Sequence, residues 1–249
     1  SLAQFKQSCL KAKGLFFEND AMQVGMTTSI FRDLASSKNQ LQIMIYYGNK
    51  LDKNITSFKT SHLGGLNLNI TSKPDVVDQV IAPNRQTKQQ YFVSFNGIPF
   101  GCPQLTCEGE FDGRHDKFFF HLPTVITKFM EFKYVEPFEF RLQWSKWQKK
   151  VIRTEPIPLD TSLVSIATDF KKYFGHLIDF NALNEAEPAE GSKEARFGGL
   201  FELDRPGVQY LLHITVLPDK TAVFQIASQR KNHDIVRYLL QTLIFIFKQ

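Results

Sequence analysis

The side chains best suited to chemistry in this chain are gathered in one stretch. It runs Pro137-Phe138-Glu139-Phe140-Arg141-Leu142-Gln143-Trp144-Ser145-Lys146-Trp147-Gln148-Lys149-Lys150 and holds both tryptophans. The chemistry on offer is binding: aromatic rings supply apolar area and a π face, and the cations beside them supply charge. Wound as a helix at about 100° per residue, the stretch sets Phe140, Trp144 and Trp147 at i, i+4 and i+7 on one face, with Phe138 and Leu142 roughly opposite. A helix lying on a sheet buries only one of two apolar stripes. Unless the helix is engulfed, the other stripe is left as an exposed platform ringed by Arg141, Lys146, Lys149 and Lys150.

Catalytic patterns are absent from the sequence. There is no Gly-rich phosphate loop, no His-Glu-x-x-His, no Gly-x-Ser-x-Gly and no Cys/His zinc spacing. The six histidines are scattered, among them His115, His121, His176 and His213, and a lone strand histidine such as His213 reads as a packing or surface residue. Glu108/Glu110 and Glu185/Glu187 are close in sequence but have no base or metal partner nearby. The expectation is a protein that is not an enzyme and carries no cofactor and no metal.

Composition narrows the partners. With 43% hydrophobic and 22% charged residues in 249, the chain reads as globular and long enough for two domains or one large one. The net charge of +5 is spread along the chain with no long Lys/Arg run, so nucleic acid is not indicated. Cys9, Cys102 and Cys107 cannot all pair with one another and read as reduced thiols of a cytosolic chain. The apolar run Tyr238 to Phe247 is about half the length that crosses a bilayer, so it reads as a buried terminal helix with no membrane insertion. Asn54-Ile55-Thr56 and Asn69-Ile70-Thr71 satisfy the glycosylation sequon, which keeps open a second reading, an extracellular two-domain binding protein.

The elements that must position the tryptophan helix follow from patterning. After a mixed start to about Lys13, the first half breaks into short apolar runs with no convincing helix between them. Candidate strands are Met22 to Ser29, Gln40 to Tyr47, Ile55 to Thr60, Leu66 to Thr71, Gln90 to Phe95, Gln104 to Glu110 and Lys117 to His121. Turn signals such as Gly48-Asn49-Lys50, Gly64-Gly65, Asn96-Gly97 and Asp112-Gly113 separate them, giving the rhythm of a β-sandwich. Alternation is cleanest where Leu41, Ile43, Ile45 and Tyr47 share one face, which turns Tyr46 outward. The second half places helices at the tryptophan stretch, at Leu163 to Gly175 and at Asn232 to Phe247. Between the last two lie a polar Glu/Ala loop, Asn181 to Lys193, and an antiparallel meander of Arg196 to Leu203, Val208 to Leu217 and Ala222 to Gln229.

Several segments, in this order and spacing, resemble the carboxy-terminal appendage, or ear, of the alpha-adaptin large subunits of the AP-2 clathrin adaptor. They are Phe17-Glu18-Asn19, Gln23-Val24-Gly25, Tyr47-Gly48-Asn49-Lys50, Leu66-Asn67-Leu68, Lys73-Pro74, Leu122-Pro123 with Lys128-Phe129, Phe140-x-x-x-Trp144, and Leu211-Leu212 through Pro218 to Arg230. The resemblance implies an α+β chain: an N-terminal immunoglobulin-like β-sandwich over residues 1–123, then an α/β platform of antiparallel sheet flanked by helices over 124–249. It further implies a non-enzymatic module, cytoplasmic and peripheral on clathrin-coated pits at the plasma membrane, working with the remainder of the AP-2 complex and the clathrin coat. Its implied partners are endocytic accessory proteins with Asp-Pro-Phe/Trp or Phe-x-Asp-x-Phe motifs for the platform and Trp-x-x-Phe for the sandwich. The appendage of another coat's large subunit is the nearest alternative.

Carried over by position, the resemblance makes Trp144 the platform-pocket tryptophan and Phe140 the aromatic one turn earlier, with Arg141 where a second Phe is usual. Two arginines that clamp a motif aspartate in relatives fall on Thr215 and Ile226, while a third basic position keeps Arg230. Trp147 is then expected to share the aromatic role and Arg141, Lys146 or Arg230 the charge, with weak recognition of the aspartate. On the sandwich, the implied site is Tyr46 beside Gly48 and Asn49, with Thr27 where a lysine is usual.

Overall fold

A computed structural model describes residues 2–33, 38–73, 77–163, 169–183, 194–203, 207–230 and 232–249. Its contacts divide the chain into two compact units, Ser1–Lys128 and Phe129–Gln249. Most of the expected Glu/Ala loop and the turn at 204–206 lie outside the described residues, as do residues 164–168 of the helix expected from Leu163 to Gly175.

The first unit contains α1 (Leu2–Leu10) and eight strands: β1 (Lys13–Glu18), β2 (Met22–Asp33), β3 (Lys38–Asn49), β4 (Thr56–Leu63), β5 (Leu66–Lys73), β6 (Gln86–Phe100), β7 (Gln104–Phe111) and β8 (Arg114–His121). They form an antiparallel sheet in the order β1-β2-β3-β6-β5 and a second in the order β4-β7-β8. Leu41, Ile43, Ile45 and Tyr47 are all buried between the sheets, as their alternation requires. The Tyr47 ring meets Phe58 of the facing sheet at 5.3 Å, and Phe17 meets Phe120 at 5.0 Å. Two tyrosine hydroxyls inside this core are not orphaned: those of Tyr47 and Tyr91 lie 3.4 Å apart, and Tyr91 donates to the Gln89 side chain at 2.5 Å. The unit is the expected β-sandwich.

Two elements here were not expected, α1 and β1. The residues α1 buries are Lys6, Ser8 and Cys9, so its inward face carries no apolar stripe for periodicity to reveal. The three cysteines are free, and burial pushes the Cys9 thiol up to about 12.

The second unit contains β9 (Glu131–Lys133), α2 (Pro137–Trp147), β10 (Val151–Arg153), β11 (Ile157–Pro158), α3 (Asp169–Phe174), β12 (Ile178–Asp179), β13 (Ala195–Glu202), β14 (Gln209–Val216), β15 (Thr221–Ser228) and α4 (His233–Phe247). β13, β14 and β15 form the expected antiparallel meander, in a sheet ordered β10-β15-β14-β13-β12, with β11 beside β15 and β9 beside β13. One face carries Phe197, Phe201, Tyr210, Leu212, Ile214, Phe224 and Ile226, all buried. The rings of Phe170 and Phe174 in α3 and Phe247 in α4 pack there, Phe170 lying 5.9 Å from Phe224 and 5.1 Å from Phe247. α4 adds Val236, Leu239, Leu240, Leu243 and Ile246, spaced to bury one face of a helix.

Candidate functional site

The opposite face of the platform sheet is covered by α2. Pro137 opens this helix, where its missing N–H costs nothing, with Glu139 in the first turn and Lys146 in the last, both favourable to the helix dipole. Phe140 is buried against Leu200, Leu211 and Ala227 of β13, β14 and β15, with Trp144, Trp147 and Phe180 packed partly buried around that cluster. The stripe holding both tryptophans therefore faces the sheet, and Phe138 (78% exposed) with Leu142 (46%) is the stripe left in solvent. The expected alternative, an exposed or a buried Trp144, resolves to an intermediate: the indole packs against this cluster and is half-buried.

Four rings close into a cycle that includes this indole. Phe140 stacks on Trp144 at 5.8 Å, Trp144 meets His213 at 5.4 Å, His213 meets Phe180 at 6.1 Å, and Phe180 returns to Phe140 at 5.6 Å. The rings lie this close to the sheet because β13 carries glycine beneath them. A Cβ on Gly198 would stand 2.7 Å from Phe140 and 2.8 Å from Phe180, and one on Gly199 would strike Leu177 and Phe132 on the other face. The His213 Nδ1–H donates to the Gln225 side chain at 3.1 Å. Burial holds the His213 pKa below its ordinary value; the Gln225 bond opposes the shift and the Arg196 charge adds to it.

Register decides which expected residues share this face. His213, opposite Gln225, and Thr215, opposite Arg196, lie on it with Leu211. Ile226 does not: it pairs with Leu212, is 0% exposed and lies among the aromatics on the α3/α4 face. The expectation that Ile226 occupies a clamp position is corrected, because a shift of one residue along a strand reverses the face and Gln225 is the β15 residue that looks toward Trp144. Arg230 is exposed beyond the end of β15. Arg141 stands with its guanidinium 5.6 Å from the centre of the Phe180 ring. Phe180, Gln225 and Arg196 do not stand out in the sequence, where His213 reads as a packing or surface residue. Alternation along β14 carried a signal for His213; Phe180 follows a two-residue strand and carried none.

On the sandwich, Tyr46 is half-buried on the outward face, opposite Gly25 and Lys88, and Thr27 is exposed on the same face, opposite Met44. Gly48 lies under the Gln23 side chain, which a Cβ would meet at 3.0 Å. The Asn49 side chain is occupied within the fold, donating to the carbonyls of Lys53 and Ile81 at 2.8 Å each and accepting from the Leu51 N–H at 2.8 Å. Its expected role as a peptide contact is corrected to holding the loop after β3. A polar depression of about 340 Å³ is lined by Gln23, Gly48, Lys50, Arg85 and Gln86, with Asn49 at its wall. Tyr46 is not part of its lining.

No family model matches the chain. Over 189 residues, 75% of this chain, it is 24% identical to the AP-2 complex subunit alpha-2 of Dictyostelium discoideum. The chain resembles an alpha-adaptin. It spans 18% of that protein's length. Among solved structures, the GAE domain of yeast GGA1 aligns at 16% identity over 45% of this chain and 99% of that one, with a TM-score of 0.36. The GAE domain of GGA2p from Saccharomyces cerevisiae aligns at 13% over 46% and 100%, with a TM-score of 0.35. Neither alignment adds to the fold described above. Among the described residues, no helix is long and apolar enough to cross a membrane, and no group of three or more His, Cys, Asp or Glu could hold a metal ion.

Proposed function

We propose that this chain is the appendage of a clathrin-adaptor large subunit of the AP-2 alpha type, an interaction module that recruits accessory proteins through short linear motifs. The observation that carries the proposal is the partly open ring cycle of Phe140, Trp144, Phe180 and His213 on the platform sheet. An aromatic anchor inserted against such a surface, with cations at its rim, is how a short peptide gains affinity at small contact area. The sequence similarity to an AP-2 alpha subunit supports the setting: cytoplasmic, peripheral on coated pits at the plasma membrane, beside the rest of the adaptor and its coat. Tyr46 and Thr27 on the outward face of the sandwich form a second, separate site for Trp-x-x-Phe peptides.

Calorimetric titration of the purified chain with Phe-x-Asp-x-Phe, Asp-Pro-Phe and Trp-x-x-Phe peptides tests the proposal. The first two should compete with each other and not with the third. Absence of binding by all three, or entry of the native protein into the secretory lumen with glycans on Asn54 and Asn69, would remove the adaptor reading.

A further inference from the structure

We propose that the solvent-facing stripe of α2 is a surface for a second copy of this chain, the two α2 helices pairing antiparallel about a two-fold axis. This surface is independent of the peptide-binding reading, which uses the opposite stripe.

The exposed face of α2 carries the pattern of a helix that pairs with another. Phe138, Leu142 and Ser145 recur at spacings of four and three, and Lys149 continues the pattern by four more in the single 3-10 turn, Gln148–Lys150, that follows the helix. All four are exposed. At about 100° per residue they lie within roughly 60° of one another, the narrow seam through which two helices pack. Glu139 and Lys146 flank the seam on one side, and Arg141 and Gln148 flank it on the other.

Turning a second helix end for end matches these residues to themselves. A register that sets Leu142 against Ser145 of the second copy also sets Phe138 against its Lys149, and each contact is made twice because the pairing is isologous. Serine opposite leucine leaves room for close approach, and the Lys149 stem lies along the Phe138 ring with its ammonium at the π face. The same register brings Glu139 to Lys146 of the second copy, again twice, and Arg141 to the neutral Gln148, so no like charges meet. These groups are available. Among the described residues Lys146 and Lys149 make no ion pair, and Glu139 is held by the Gln143 side chain, which donates to its Oε1 at 3.3 Å.

An anionic membrane matches this face less well, because Glu139 stands beside the two apolar residues and would be repelled. A helix of 11 residues spans about 16 Å, so one pair covers far less than the ~1,600 Å² of a standard interface. The association is therefore weak and counts where copies are crowded, as on the coated surface proposed above.

Sedimentation equilibrium of the purified chain at concentrations up to about 1 mM tests the pairing. The average mass should climb from that of one chain toward that of two, and less steeply as salt is raised. Phe138→Gln with Leu142→Gln should stay monomeric throughout. Glu139→Lys alone and Lys146→Glu alone should each lower self-association by at least about tenfold, since each sets like charges face to face twice. An equimolar mixture of these two variants should recover the association, because each offers the charge the other lacks, and so should the chain carrying both changes. Unfolding curves matching the parent's would show that the exposed changes leave the fold intact. A parent chain that stays monomeric at every concentration overturns the proposal. So does association that survives Phe138→Gln with Leu142→Gln, or that neither the mixture nor the doubly changed chain restores, since the contact would then lie elsewhere. Binding to phosphatidylserine vesicles by a chain that remains monomeric would make the face a membrane surface and overturn it as well.

Discussion

Gly198→Ala isolates the packing that shapes the groove. No left-handed backbone conformation is imposed at this position, so alanine is compatible with the strand and by itself should stabilise by about 0.4–1 kcal/mol through the unfolded chain. Against that stands the new methyl, 2.7 and 2.9 Å from two atoms of the Phe140 ring and 2.8 Å from Phe180. Ordinary contact begins near 3.4 Å, so both rings must retreat by roughly 0.6 to 0.7 Å in a layer already pressed against Leu200 and Leu211. Overpacking of this kind costs about 1–3 kcal/mol, leaving a net loss of about 1–2 kcal/mol. Urea unfolding should show a lower midpoint with an unchanged slope, and affinity for an aromatic peptide should fall because the displaced rings form half of the cycle. Gly199→Ala is the control: its methyl strikes Leu177 and Phe132 on the opposite face, so stability should drop by a similar amount while affinity corrected for folded fraction holds. A Gly198→Ala chain as stable as the parent, or equal affinity losses in both variants, would refute the claim that glycine beneath the rings defines the groove.

Other perturbations separate the parts of the site. Trp144→Ala should weaken a Phe-bearing peptide by about 2 kcal/mol or more, roughly thirtyfold, in titration calorimetry, and because the indole is half-buried it should also cost about 1–2 kcal/mol of stability. His213 is held below its ordinary value of 6.5, chiefly by burial, so its stabilisation is complete above that pH and is lost as pH falls below it toward the lowered folded value; His213→Gln should flatten this acid-side part of the stability profile. Tyr46→Ala should weaken Trp-x-x-Phe peptides and leave platform peptides untouched, whereas equal loss at both would show damage to the fold. Asn49→Ala should destabilise the sandwich by about 1–3 kcal/mol in chemical unfolding, because the carbonyls of Lys53 and Ile81 lose a donor.

What the sequence determined is what local periodicity can encode. Alternation in β3 set Tyr46 outward and Tyr47 inward, the spacing of Phe140, Trp144 and Trp147 put them on one face of α2, and the turn residues bounded the meander; each is a property of a residue and its near neighbours. The fold class followed, as did the stretch around which the candidate site is built. Which stripe of α2 meets the sheet was decided by packing, since Phe138 with Leu142 is also apolar and only the facing strands select between them. The same holds for charge. Thr215 and Ile226 are read from sequence as positions, but register sends Ile226 into the core and brings Arg196, nineteen residues before Thr215, beside it across two strands. α1 escaped the sequence because its inward face is Lys6, Ser8 and Cys9, and Phe180 because a two-residue strand has no period to read. Long-range pairing brings together what spacing along the chain holds apart, and the groove is made almost entirely of such pairs.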